Sequence, residues 1–324
     1  MSANPRSAER PGVLHRFAAW LPDAVDARVR VFGWLSFLAE VIIVGTGGAV
    51  RLTDSGLGCA WPLCTPDSLA PTPAMGIHSF IEFGNRMMSG VVGILALVVL
   101  ILVWRMRRTR RDLWWLALTV VLGVLLQAIV GGITVRTDLN AGIVAFHYVA
   151  SVVLVCVTAA FLVRMHTVPG PRRLAVPRWF AILTHITTFV LALALVFGVL
   201  TTASGPHSGD ADVIRHGFDA TLMAHIHSFP GYALFGLTLI LFLTAWVKRL
   251  RVQRWLTVLV CLEVVQIGVG VLQARTELPP LLVGIHMILA ALTAAAMTAV
   301  VLNLKEPMPA DSEVASPVSA AAEA

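Results

Sequence analysis

Charge is scarce in this chain. Asp, Glu, Lys and Arg make up 13% of its 324 residues, against 57% hydrophobic, and the mean hydropathy is +0.83. A soluble domain carries about a quarter of its residues charged, so this composition excludes a soluble globular fold and places the core in lipid. Cysteine is sparse too. Cys156 and Cys261 stand singly in apolar stretches, as packing residues do, and Cys59 and Cys64 share the segment GLGCAWPLC with no second pair, which argues against a zinc site. The first 30 residues lack an apolar run leading to a small-residue cleavage site, so the first long apolar segment is expected to act as its own insertion signal. The last 20 residues, rich in Ala, Ser, Pro and Glu, read as a disordered tail without chemistry.

What the chain has in abundance is apolar runs of membrane-spanning length. Eight occur, near 31–50, 78–104, 114–134, 141–163, 179–202, 221–247, 256–274 and 281–302. Basic residues are retained on the cytoplasmic side of a bilayer. All but five of the 24 Lys and Arg fall in the N-terminal tail, the alternate loops 105–111, 164–178 and 248–254, or the C-terminal tail. The exceptions are Arg51, Arg136, Arg215 and Arg275 in the opposite loops and Arg86 within a span. Both termini are therefore expected in the cytoplasm. The pI near 9.8 follows from this asymmetry, so membrane lipid and not nucleic acid is the expected partner of the charge.

Two of the runs repeat each other. QAIVGGITVRTDLNAGIVAFH, ending at His147, and QIGVGVLQARTELPPLLVGIH, ending at His286, align without a gap at a spacing of 139 residues. Gln127/Gln266, Gly131/Gly270, Arg136/Arg275, Thr137/Thr276 and His147/His286 coincide, and Asp138 opposes Glu277. Four spans per copy give both copies one orientation, related by an axis along the membrane normal. The fold expected is all-α: two tandem four-helix bundles related by a pseudo-two-fold axis. Its parts are an N-terminal tail (1–30), a first half (31–165), a linker (166–177), a second half (178–303) and a C-terminal tail (304–324).

Polar residues in lipid are costly and mark sites. Glu82 and Asn85 share one face near the outer end of the second span, with His147, His225, His227 and His286 at similar depth on the fourth, sixth and eighth. In the second half, His227 and His286 suit the two axial positions of one haem iron, an arrangement for electron transfer. His225 points elsewhere, about 200° around the helix from His227, and remains an alternative ligand. In the first half, Glu82 near a bound ligand can accept a proton or stabilise positive charge at a substrate carbon; the plainer alternative is a Glu82–Arg86 pair. Arg51, Arg136 and Arg275 can hold haem propionates or lipid headgroups. Cys59 and Cys64 lie in the first outer loop, on the oxidising side, spaced for a disulfide of structural or redox use.

The segment GTGGAVRLTDSGLGCAWPLC, the following HSFIEFGNR, and the two QxxxGxxxxRT repeats with their histidines closely resemble the haem A synthase family over residues 31 to 302. The resemblance implies a polytopic enzyme of the bacterial cell membrane that oxidises the C8 methyl of haem O to a formyl group by successive hydroxylations. It implies resident haem b on His227 and His286 with Arg275 at its propionates. It also implies a substrate haem site at His147 with Glu82 catalytic, and Asn85, Arg51 and Arg136 are expected to border that site. Asn85 departs from the family, which has a second histidine there, leaving His147 alone, or with water or His78, as axial partner. The second outer loop lacks the cysteine pair some relatives carry, so Cys59–Cys64 is the disulfide candidate. Expected associates are haem O synthase and the cytochrome oxidase assembly pathway, with homo-oligomerisation allowed and the electron acceptor unspecified.

Two other functions fit parts of this pattern. A quinol-linked or non-catalytic dihaem cytochrome b would use the same histidines but needs two ligands in each half, which Asn85 denies it. A transporter built from parallel repeats would place its polar site at the midplane, whereas these residues gather near the outer surface.

Overall fold

The computed structural model describes residues 19–213 and 219–308. Most of the expected N-terminal tail, Arg215, and residues 309–324 lie outside them. Eight helices of membrane-crossing length and apolarity follow one another: α1 (Ala27–Leu52), α2 (Gly76–Leu102), α3 (Arg111–Arg136), α4 (Ala141–Met165), α5 (Arg178–Ser204), α6 (Ala220–Val247), α7 (Gln253–Arg275) and α8 (Pro280–Leu302). The molecule is an all-α polytopic membrane protein, and its helices coincide with the eight apolar runs to within a few residues.

Local chemistry sets the ends. Asp26 caps α1 by accepting from the Val29 N–H at 3.1 Å, Asn140 caps α4 through the Gly142 and Ile143 N–H groups, and Asp219 caps α6 through the Leu222 N–H at 2.7 Å. The two RT(D/E)L sequences close α3 and α7 identically. Asp138 and Leu139 take φ of 49° and 57°, Glu277 and Leu278 take 61° and 59°, and the Leu139 and Leu278 N–H groups return 2.9 Å to the carbonyls of Thr134 and Gln273. This is the six-to-one closure that usually employs glycine. Side chains held there at φ > 0 cost energy, so the repeated turn is imposed by its surroundings, and the repeat seen in sequence is a repeat of backbone conformation.

Within the first half α1 packs on α2 and α4, and α3 on α2 and α4; α5–α8 repeat the order. The halves join where α8 lies against α4 and α1, and α4 against α5. Ala291, Ala294, Ala295, Ala296 and Ala299 of α8 are buried, small enough for the close approach that membrane helices require. A second core, with Val29, Leu102, Met106, Leu113 and Phe161, closes the first half at the end where α2 meets α3. On that side β1 (Arg172–Leu174) pairs antiparallel with β2 (Lys305–Pro307), and Glu306 meets Arg173 at 2.9 Å and Arg251 at 3.5 Å. The first residues of the C-terminal tail, expected to be disordered, are thus ordered by pairing with the linker between the halves.

Loops at the opposite end also tie the halves together. The Gly56 N–H donates to the Gly209 carbonyl at 2.7 Å and Arg51 Nη2 to the Thr202 carbonyl at 3.0 Å, while within the second half His207 Nε2 lies 2.9 Å from the Leu278 carbonyl. With the apolar cores toward the β1–β2 end and these loops at the other, space is left at the loop end of the bundle.

Candidate functional site

That space is a cavity of about 860 Å³ reaching into both halves, lined by Asn85, Gln127 and His147 of the first and by His225, His227, Gln266 and His286 of the second. It is large enough for a macrocyclic cofactor. His147 and His286 occupy the second turns of α4 and α8, and each helix is held to its neighbour by the duplicated glutamine. Gln127 Nε2 donates to the His147 carbonyl at 2.7 Å, and Gln266 Nε2 to the His286 carbonyl at 3.2 Å. The duplicated glycine makes room for each ring: a Cβ on Gly131 would lie 3.5 Å from His147 Cε1, and one on Gly270 3.0 Å from His286 Cε1. The repeat therefore encodes an imidazole, the bond that fixes its backbone and the gap that receives its ring.

In the second half the rings of His227 and His286 face each other with centroids 6.2 Å apart and planes at 79°. A metal–imidazole bond is about 2 Å, so a separation near 6 Å admits one metal atom between them. His227 Nδ1–H donates to the Ala194 carbonyl at 3.0 Å, which leaves Nε2 as the free lone pair. Nδ1 of both His147 and His286 is buried without a protein partner. Among the described residues no three His, Cys, Asp or Glu side chains converge on a common point. Two opposed imidazoles with nothing else to complete a coordination sphere fit a macrocycle that brings its own four nitrogens. His225 also borders the cavity, but its side chain is exposed and it makes no ring pair with His286.

Asn85 stands in the first half where His227 stands in the second. Each faces a glycine of the first helix of its half: a Cβ on Gly47 would lie 3.8 Å from Asn85 Oδ1, and one on Gly198 3.0 Å from His227 Cε1. Thr46 Oγ1 donates to Asn85 Oδ1 at 2.8 Å, holding the amide. The first half thus presents one imidazole, His147, where the second presents two.

Glu82 is 4% exposed and is not among the residues lining the cavity. It pairs with Arg86 and accepts from the Cys59 N–H at 2.7 Å, and Arg86 donates on to the carbonyls of Cys59 at 2.8 Å and Ala60 at 2.9 Å. The plainer Glu82–Arg86 pair is present, and it serves to seat the outer loop. Cys59 and Cys64 form a disulfide. Within that loop Trp61 packs on Gly132 and beneath Arg136, whose guanidinium is 4.7 Å from the ring. Arg136 is occupied with this loop, whereas Arg51 and Arg275 line the cavity. His78 is exposed, bonded to Ser55 Oγ at 3.0 Å, and away from the cavity wall.

A profile of the COX15-CtaA family, described as cytochrome oxidase assembly protein, matches residues 30–206, more than half of the chain. The chain belongs to this family. Similar proteins named heme A synthase include those of Halalkalibacterium halodurans, 31% identical over 37% of this chain and 40% of the relative, and Bacillus licheniformis, 32% over 40% and 42%. That of Alkalihalophilus pseudofirmus is 28% identical over 43% of this chain and 49% of the relative. The matched segments span less than half the length of these relatives. The family match runs through α1–α4 and ends with α5, so it takes in the disulfide loop and His147, while His227 and His286 lie beyond it.

Two carboxyls of this COX15-CtaA protein went unnoticed at the sequence level. Glu40 on α1 is 2% exposed and Glu263 on α7 is 3% exposed; both border the cavity, and each has an oxygen without a partner. Their signal was available, as acidic residues in the middle of apolar spans, but neither falls in the aligned repeats.

Proposed function

We propose that this protein is a haem A synthase, which holds haem b in its second half and oxidises the C8 methyl of haem O to a formyl group, through successive hydroxylations, in its first. The observation that carries this is one cavity presenting an opposed imidazole pair in one half and a single imidazole against an asparagine in the other. When bound, haem b would supply a one-electron centre suited to accept and pass on electrons.

The side chains then divide the work. His227, its tautomer set by Ala194, and His286, anchored by Gln266, would hold the iron of haem b. His147, anchored by Gln127, would hold the substrate haem, and Asn85 would offer it no second imidazole. A dihaem cytochrome, which turns over neither haem, would want both faces of both sites filled. Arg51 and Arg275 at the outer edge of the cavity neutralise propionates, and Arg136 contributes through the Trp61 loop that roofs the first half. Glu82, one turn outward of Asn85, is the proposed proton acceptor for the methyl group. It reaches a substrate only when its pairing with Arg86 and the Cys59 N–H opens. The setting is a bacterial cell membrane with both termini cytoplasmic, in cytochrome oxidase assembly, with haem O synthase delivering a poorly soluble substrate.

The test is extraction and chromatography of haems from cells expressing this protein with a haem O synthase, set against the synthase alone. Formyl-bearing haem A is expected only with both, and Glu82→Gln should retain haem b while haem A disappears. Recovery of haem B and haem O alone from haem-loaded wild-type protein would sink the synthase and favour the cytochrome.

A further inference from the structure

The cavity walls contributed by α1 and α5 correspond at a spacing of 151 residues: Glu40, Val44, Gly47 and Arg51 on one, Leu191, Leu195, Gly198 and Thr202 on the other, all bordering the cavity. These positions follow one helix face from the outer end to the middle of the membrane. At the centre of each face is the glycine that opposes Asn85 or His227. The ends differ. At the outer end the first half has Arg51 where the second has Thr202, and at the deep end it has Glu40 where the second has Leu191.

Arg51 and Glu40 are eleven residues apart, roughly 16 Å along the helix, with the glycine between them. A flat ligand seated there meets a cation at its outer edge, a smooth wall along its body and a carboxyl at its inner edge. Glu40 is almost wholly buried, and its Oε1 has no partner in the protein. A buried acceptor left unpaired at that depth is costly, and a residue of this kind in a span is retained for a ligand.

We propose that Glu40 selects the substrate of the first half, by accepting a hydrogen bond from a hydroxyl on the macrocycle edge opposite the carboxylates. Haem O carries that hydroxyl on its hydroxyalkyl side chain, and haem B has only a vinyl group in its place. The inference rests on the haem reading above and adds to it the means by which two halves with similar walls take different haems. Leu191, at the matching position, offers the second half a hydrocarbon surface that suits the vinyl edge. Glu263, the second half's own buried carboxyl, belongs to a different helix, and one of its oxygens accepts from Thr238 Oγ1 at 2.9 Å.

The experiment is a titration of the full-length protein, as purified from membranes, with haem O and with haem B in separate runs. Uptake beyond the haem already present is read from the difference spectrum in the Soret region. Wild type should favour haem O by about tenfold, as expected for one buried hydrogen bond. Glu40→Leu, which copies the second half, should bring the two affinities within about twofold, while Glu40→Gln, which keeps a carbonyl acceptor, should retain most of the preference. Glu263→Gln should leave the ratio unchanged. A preference that survives Glu40→Leu, or one lost in Glu263→Gln, overturns the proposal. Equal binding of both haems by wild type overturns it while leaving a haem-binding first half in place, whereas no uptake of either macrocycle removes the haem reading of the first half and this inference with it.

Discussion

A histidine in lipid has two common uses, packing through a hydrogen bond and ligation, and the surroundings of His227 and His286 suit the ligation proposed for them. Their rings face each other 6.2 Å apart, one oriented by a carbonyl, and glycines stand where any larger residue would press on them. Replacing His286 with Ala should abolish the spectrum of the haem b proposed for the second half, and His147→Ala should leave that spectrum intact while removing uptake of a second haem. Optical spectra of the purified variants check both; a resident spectrum unchanged in His286→Ala would show that the iron is held elsewhere. Histidine, glutamine and glycine were legible as a recurring pattern in the sequence. That the glutamine binds the histidine's own carbonyl, and that the glycine receives its ring, depends on how α3 meets α4 and α7 meets α8. Glu82 is the residue whose surroundings differ most from its sequence context. Its i+3 neighbour Asn85 borders the cavity, yet Glu82 itself is held by its i+4 neighbour Arg86 and by a loop twenty-three residues earlier in the chain.

At the level of elements, the outer loop between α1 and α2 is fastened at three points: the Cys59–Cys64 bond, the Glu82–Arg86 pair beneath it, and Trp61 between Gly132 and Arg136. A disulfide closing so short a loop stabilises by about 2 kcal/mol at most, and the other fastenings remain when it is removed. The double replacement Cys59→Ser and Cys64→Ser should therefore leave the haem b spectrum unaltered and α1–α2 folded, while the loop becomes sensitive to protease added to the outer face. Mapping of cleavage fragments reads this, and resistance equal to that of wild type would assign the seating of the loop to Glu82, Arg86 and Trp61 alone. The disulfide was within reach of the sequence, because two cysteines share a short loop on the oxidising side. The seating of the loop on α3 was not, because that depends on Trp61 finding the flat spot left by Gly132 on a helix seventy residues away.

For the whole molecule, the arrangement is a pair of four-helix bundles that share one wall and one cavity. Apolar cores at one end and loop ties at the other leave the open volume at the loop end of the bundle. The charge asymmetry predicts which side is which. Single cysteines introduced into the 105–111 and 248–254 loops of a variant lacking Cys156 and Cys261 should resist a membrane-impermeant thiol reagent in intact cells and react after lysis. Labelling of those loops in intact cells would invert the topology and place the cavity mouth in the cytoplasm.

Hydropathy determined the eight helices, and the gapless repeat determined their division into two halves, because span length and helical register are local properties of the chain. The left-handed turns at Asp138–Leu139 and Glu277–Leu278 continue that correspondence down to the backbone. Tertiary structure alone decided which polar groups share a space. Glu40 and Leu191, on helices the repeat matches poorly, become comparable only when α1 and α5 line the same cavity. Burial and the absence of a partner, which make Glu40 a candidate for recognition, are properties of packing between helices and cannot be read from the order of residues along one.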